Sequence, residues 1–195
     1  MAGKKKNWLI NVTAYTAAGL LASALVGWGL AALGRALLPS GMSGPAAVLC
    51  LGIASLAAAR EMGWVSLPLP QHRRQTRDVW AKWFRSPVAA ALWGFDVGFL
   101  FTTWFTLAGV WLLVAVAFLA REPWFGTLLF AIYWLGRALS VWVAPLLLED
   151  AASTPRLLAA IEEHRSFVQR VHVLALAWAL GVLVAILTQG ARLGS

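Results

Sequence analysis

The chain has 195 residues, of which 61% are hydrophobic and only 12% charged, with a formal net charge of +8 and a mean hydropathy of +0.74. Soluble domains carry roughly 25% charged residues, so the composition excludes an ordinary soluble domain and points to an all-α, polytopic membrane helix bundle forming a single membrane domain. The positive charge falls in the loops between apolar runs rather than in a basic stripe, which argues against nucleic acid as a partner.

The first expected span covers about 8–38. The basic tail Lys4-Lys5-Lys6 and the tripeptide Ala22-Ser23-Ala24 together imitate a secretory signal. Asn11, Thr13, Tyr15 and Thr16 interrupt that core, and the apolar run continues past the cleavage-like site. A retained membrane helix is therefore expected. Gly19, Ser23 and Gly27 form a small-xxx-small ladder that lets another backbone approach closely. A second span is expected at about 45–62, with Pro45 in its first turn. The single cysteine, Cys50, lies inside it and reads as a small hydrophobe. One thiol cannot form an internal dithiol. His72, His164 and His172 are scattered, so neither a metal nor another cofactor is expected.

The loop that follows contains Leu67-Pro68-Leu69-Pro70 and then a stretch in which Val79, Trp80, Trp83 and Phe84 recur at helical spacing. Arg73, Arg74, Arg77, Lys82 and Arg85 flank those aromatics. An interfacial helix at about 76–86, lying against lipid head groups, is expected. The run 88–120 is too long for one perpendicular span. Gly94 and Gly98, with Asp96 between them, suggest a break or re-entrant segment leading into a third span at about 94–120, whose polar face carries Thr102, Thr103 and Thr106. After a tight turn at Arg121-Glu122-Pro123-Trp124, a fourth span is expected at about 125–148, with Arg137 in mid-helix and Pro145 near its end. A surface helix at about 155–165 and a fifth span at about 167–188 complete the chain.

Lys4–Lys6, Arg60, the five basic residues of the central loop, and Arg156, Arg165 and Arg170 would share one side of the membrane. Only Arg35, Arg121 and Arg192 would lie on the other. This bias predicts five spans with the N-terminus inside and the C-terminus outside; a bacterial cytoplasmic membrane is the expected location. Asp96 and Arg137 are then the main functional candidates, because a charge in hydrocarbon is costly and ordinarily faces a partner or a wet cavity. Three readings are open: a polar gate for an ion or small solute, a buried ion pair that specifies packing, or an arginine reaching for a lipid phosphate.

The segment Ala90-Ala91-Leu92-Trp93-Gly94-Phe95-Asp96-Val97-Gly98-Phe99, the run 111–117, and Tyr133-Trp134-Leu135-Gly136-Arg137-Ala138-Leu139 resemble the fourth-to-fifth helix hairpin of the cytochrome c biogenesis protein CcdA and the DsbD transmembrane domain. Leu67-Pro68-Leu69-Pro70 is similar to that family's central loop, and 15–33 to its second helix. The resemblance implies a related membrane fold with the first helix missing. Where the fourth-helix Pro-Cys should stand, this chain has Phe101-Thr102-Thr103-Trp104-Phe105-Thr106. No catalytic residue carries over, and a thiol relay would be lost. The sequence thus predicts a scaffold or accessory subunit with a membrane-protein partner or a second copy of itself. The alternatives are a small-solute or ion transporter centred on Asp96 and Arg137, and reductant transfer with a partner's thiols.

Overall fold

A computed structural model describes residues 2–39, 43–66, 68, 79–100 and 109–147, with isolated helical positions between 159 and 181. The order is α1 (Ala2–Leu37), α2 (Ser43–Glu61), α3 (Val79–Trp83), α4 (Ser86–Gly98), α5 (Gly109–Ala120) and α6 (Pro123–Leu147). Among the described residues there is no strand. Three stretches are long and apolar enough to cross a membrane: Lys6–Leu37, Gly44–Glu61 and Pro123–Val143. This is a helical membrane protein.

α1 is the spine. Its apolar residues are spread round the whole circumference, as befits a helix surrounded by other helices and lipid. α4 runs parallel to it: the Asn11 amide donates to Ser86 Oγ at 2.6 Å, Gly94 abuts the Tyr15 carbonyl, and Gly98 abuts Gly19. α6 runs antiparallel on α1, with Gly27 and Gly126 face to face. α5 reaches the upper part of the spine, where Gly34 meets the Phe118 carbonyl. α2 packs on α5 through Cys50, Ala54, Ala57 and Ala58 against Leu112. These positions recur at helical spacing, and their small size allows close approach.

The helix ends have local causes. α2 stops at a left-handed Gly63 (φ 77°). The Gly63 N–H donates to Arg60 O at 3.0 Å and the Trp64 N–H to Ala59 O at 2.9 Å, the paired bonds of a Schellman cap. α4 begins after an extended Arg85 with a proline in its first turn, where the missing N–H costs no helical bond. α5 ends at Arg121, also left-handed (φ 60°), whose guanidinium donates to Pro39 O at 2.9 Å. That bond ties the turn before α6 to the turn after α1.

The expected third span at 94–120 is not one helix. The chain passes through Gly94 and Gly98 as regular helix, and α4 ends only at Phe99 and the left-handed Leu100 (φ 62°). The glycines serve contact with α1 rather than a bend. α5 resumes at Gly109, and Leu100 packs with Val26, Val110, Ala117 and Phe130 in one apolar cluster. α4 and α5 therefore form two short parallel helices stacked along the spine. α1 also starts earlier than the expected residue 8, and α6 continues through Pro145 to Leu147. The interfacial helix expected at 76–86 is described only as α3 with the elbow Phe84-Arg85. The fifth span at 167–188 and the surface helix at 155–165 lie outside the described residues, apart from their isolated helical positions.

Candidate functional site

The candidate site is a polar layer crossing α1 near Tyr15 and Thr16. Gly94 and Gly98 of α4 meet α1 at Tyr15 and Gly19, so Asp96 lies between those levels. On α6, Arg137 is eleven residues beyond Gly126, which faces Gly27; in an antiparallel pair it is level with Thr16. Asp96 and Arg137 thus share one height, and both are half-buried.

Their helices, however, are not the two arms of one hairpin. α4 and α6 each pack extensively on α1 and make little direct contact with each other, while α5 packs directly on α6. Asp96 also lies about 200° round the helix from each of the two glycines that touch α1, on the side of α4 away from the spine. Tight seams direct α4 and α6 to α1, where both meet Gly19.

Arg137 sits in an aromatic setting. Its guanidinium donates to the Tyr133 hydroxyl at 3.3 Å and lies 5.9 Å from the centre of that ring. The Tyr15 ring stands 5.2 Å from that of Trp134. Trp134 is fully buried against Gly19, and its indole N–H donates to Thr16 O at 2.8 Å. The indole N–H of Trp142 donates to Thr16 Oγ1 at 2.9 Å. Two tryptophans of α6 thus converge on one threonine of α1, and hydrogen bonds of this kind hold helices together where no water competes.

The helix-packing residues fall in this frame. Gly19, Ser23 and Gly27 line the contact of α1 with α4 and α6. Ser23 is fully buried, and its hydroxyl donates to Gly98 O at 2.9 Å. That bond satisfies one of the carbonyls left open where α4 stops. Thr102, Thr103, Thr106, Arg73, Arg74 and Arg77 lie outside the described residues, as do the three histidines. Lys82 and Arg85 are exposed. Cys50 is buried among alanines, a setting for a small hydrophobe rather than a reactive thiol.

Reading along the chain misses several of these partners. Tyr15 and Thr16 look merely like polar interruptions of an apolar core, and Trp134 and Trp142 like interfacial aromatics; only their i, i+8 spacing on one face of α6 hints at a shared target. Glu61 is missed as well. It is buried at the end of α2 and pairs with Arg60 at 3.2 Å. A carboxylate in the last turn of a helix opposes the helix dipole, and the adjacent arginine offsets it.

No protein-family model matches the chain, and no match is found among curated proteins or among solved structures.

Proposed function

We propose that this chain is a five-span protein of a bacterial cytoplasmic membrane, with its N-terminus inside, that passes an ion or small polar solute through the layer of Asp96 and Arg137. The observation that carries this reading is the end of α4 at Phe99 and the left-handed Leu100, one turn after Asp96. A helix broken within a membrane protein leaves backbone groups open in a place where water does not satisfy them. Such breaks are the usual sites where solutes and coupling ions bind near the bilayer midplane. Here the break follows Asp96 by one turn and is braced from α1 by Ser23. Within the reading, Asp96 supplies a negative charge that a proton or cation neutralises in transit. Arg137, set among Tyr15, Tyr133 and Trp134, holds the opposite charge at the same depth.

Flux through reconstituted vesicles tests it, with dyes for protons, sodium and chloride. Wild type should move at least one of these. Asp96→Asn and Arg137→Gln should each reduce that flux by tenfold or more, which corresponds to about 1.4 kcal/mol, while leaving helicity and melting behaviour unchanged. Wild-type rates in both folded variants would overturn the assignment.

A second reading is a scaffold or accessory subunit of a membrane complex, built on a membrane-protein partner or a homodimer. The observation favouring it is the apolar skin of α1 and α6, where Leu21, Leu25, Trp28, Leu128, Ile132 and Leu139 are all at least half exposed. Co-purification of a stoichiometric membrane partner, without flux, would move the assignment to this reading. A distant relationship to the CcdA and DsbD family would imply a membrane fold for either, without a thiol relay. Reductant transfer with a partner's thiols would have to run through Cys50, which is buried.

A further inference from the structure

At the end of the bundle where α1 begins, one basic and aromatic corner is built from separate parts of the chain. Lys6 of α1, Lys82 of α3 and Arg85 of the elbow are all exposed. The described residues of the elbow and of the first turns of α1 include no acid. Trp83 is 76% exposed, with Phe84 and Val88 exposed beside it. The corner is not a free loop. Asn11 donates to Ser86, which fixes the start of α4 against α1, and Trp8 packs edge-on to Trp142 at 5.9 Å, which fixes the base of α1 against α6. With Gly94 against Tyr15 and Gly98 against Gly19 on parallel helices, Arg85 is level with Lys6. Two long basic side chains from different helices can therefore reach one phosphate between them.

We propose that this corner binds the head group of an anionic phospholipid. The phosphate sits between Arg85, Lys82 and Lys6, Trp83 lies at the head-group level where indoles partition, and the acyl chains run along Phe84 and Val88. Charge complementarity selects the occupant. An anionic head group meets three cations and no described acid, whereas the opposite end of the bundle carries Glu122 beside Arg121, whose guanidinium already donates to Pro39 O. This site does not depend on the transport reading. It requires only that the chain lie in a bilayer.

The test uses the full chain, delipidated in detergent and then titrated with phosphatidylglycerol or phosphatidylcholine, with bound lipid counted by native mass spectrometry. Phosphatidylglycerol should be retained preferentially. Each basic side chain removed should weaken it about fivefold, so Lys82→Gln with Arg85→Gln should weaken it roughly twenty-five-fold. Arg35→Gln, at the other end of α1, should leave binding unchanged. Equal retention of both lipids by wild type would overturn the proposal, and that result needs no variant to fold. So would an unchanged affinity in the double variant, an equal loss in Arg35→Gln, or displacement of the lipid by inorganic phosphate at comparable concentration.

Discussion

Leu100 holds the left-handed conformation that L-residues avoid at a cost of roughly 1–2 kcal/mol, yet it is 2% exposed in the middle of an apolar cluster. Glycine would remove the backbone strain and leave the cluster without its side chain. The two effects can be separated. Leu100→Ala keeps the strained backbone and opens a cavity, so it should destabilise by about 2–5 kcal/mol. Leu100→Gly opens a slightly larger cavity but relieves the strain, and should be the more stable of the two by up to about 1–2 kcal/mol. Chemical unfolding in detergent micelles, followed by far-UV circular dichroism, compares the pair. A glycine variant weaker than the alanine variant would mean that the leucine conformation carries no strain. The same residue shows why the break is illegible in sequence. Gly94 and Gly98 look like the place where a helix fails, yet the helix fails at a leucine, a residue type with no turn signal. Leu100 is selected for packing against Val26 and Phe130 rather than for the turn it makes.

At the scale of helices, α1 is held by backbone contact more than by interlocking side chains. A Cβ on Gly27 would meet the Gly126 carbonyl, and a Cβ on Gly126 the Gly27 carbonyl. Gly27→Ala and Gly126→Ala should therefore each cost about 1–3 kcal/mol, because the helices must separate. Gly136→Ala, on the same helix with open space around it, should be neutral or stabilising by up to about 1 kcal/mol. The comparison is read from unfolding midpoints in one detergent; equal effects at all three positions would show that the seam is not close-packed. The spacing of Gly19, Ser23 and Gly27 is visible in one dimension. That α4 and α6 share this ladder is not, because partner choice depends on where two other helices carry matching gaps. The hairpin containing Asp96 and Arg137 reads as one unit in sequence for the same reason: adjacency along the chain stands in for adjacency in space until the break lets α5, rather than α4, pair with α6.

For the molecule as a whole, the apolar composition alone is enough to read a helical membrane protein, and three described stretches have the length to cross a bilayer. The number of spans and their orientation rest on the loop charges. Single cysteines test them in a Cys50→Ser background. Replacements at Arg85 and Lys6 should react with a membrane-impermeant maleimide only from the cytoplasmic side, and replacements at Arg35 and Trp124 only from the opposite side. Labelling of Arg85→Cys and Arg35→Cys from the same side would reject the arrangement. α1 itself, at 36 residues, is about 54 Å long against a hydrocarbon core of about 30 Å. Part of it therefore lies beyond the hydrocarbon, or the helix runs tilted through it.

The seam on α1 also sets a schedule for assembly. Thr16 and the indole that binds it, that of Trp134, are 118 positions apart, so at 5–20 residues per second the ribosome needs roughly 6–24 s to deliver the partner. Gly98, the partner of Ser23, follows it by only 75 positions, so the face of α1 that meets α6 at Gly27 is the one that waits longest for its cover. The spine of the finished bundle is thus its longest-waiting part. Any membrane chaperone or neighbouring helix with a small-residue face of its own has its opportunity then, before α4 and α6 arrive to close the groove.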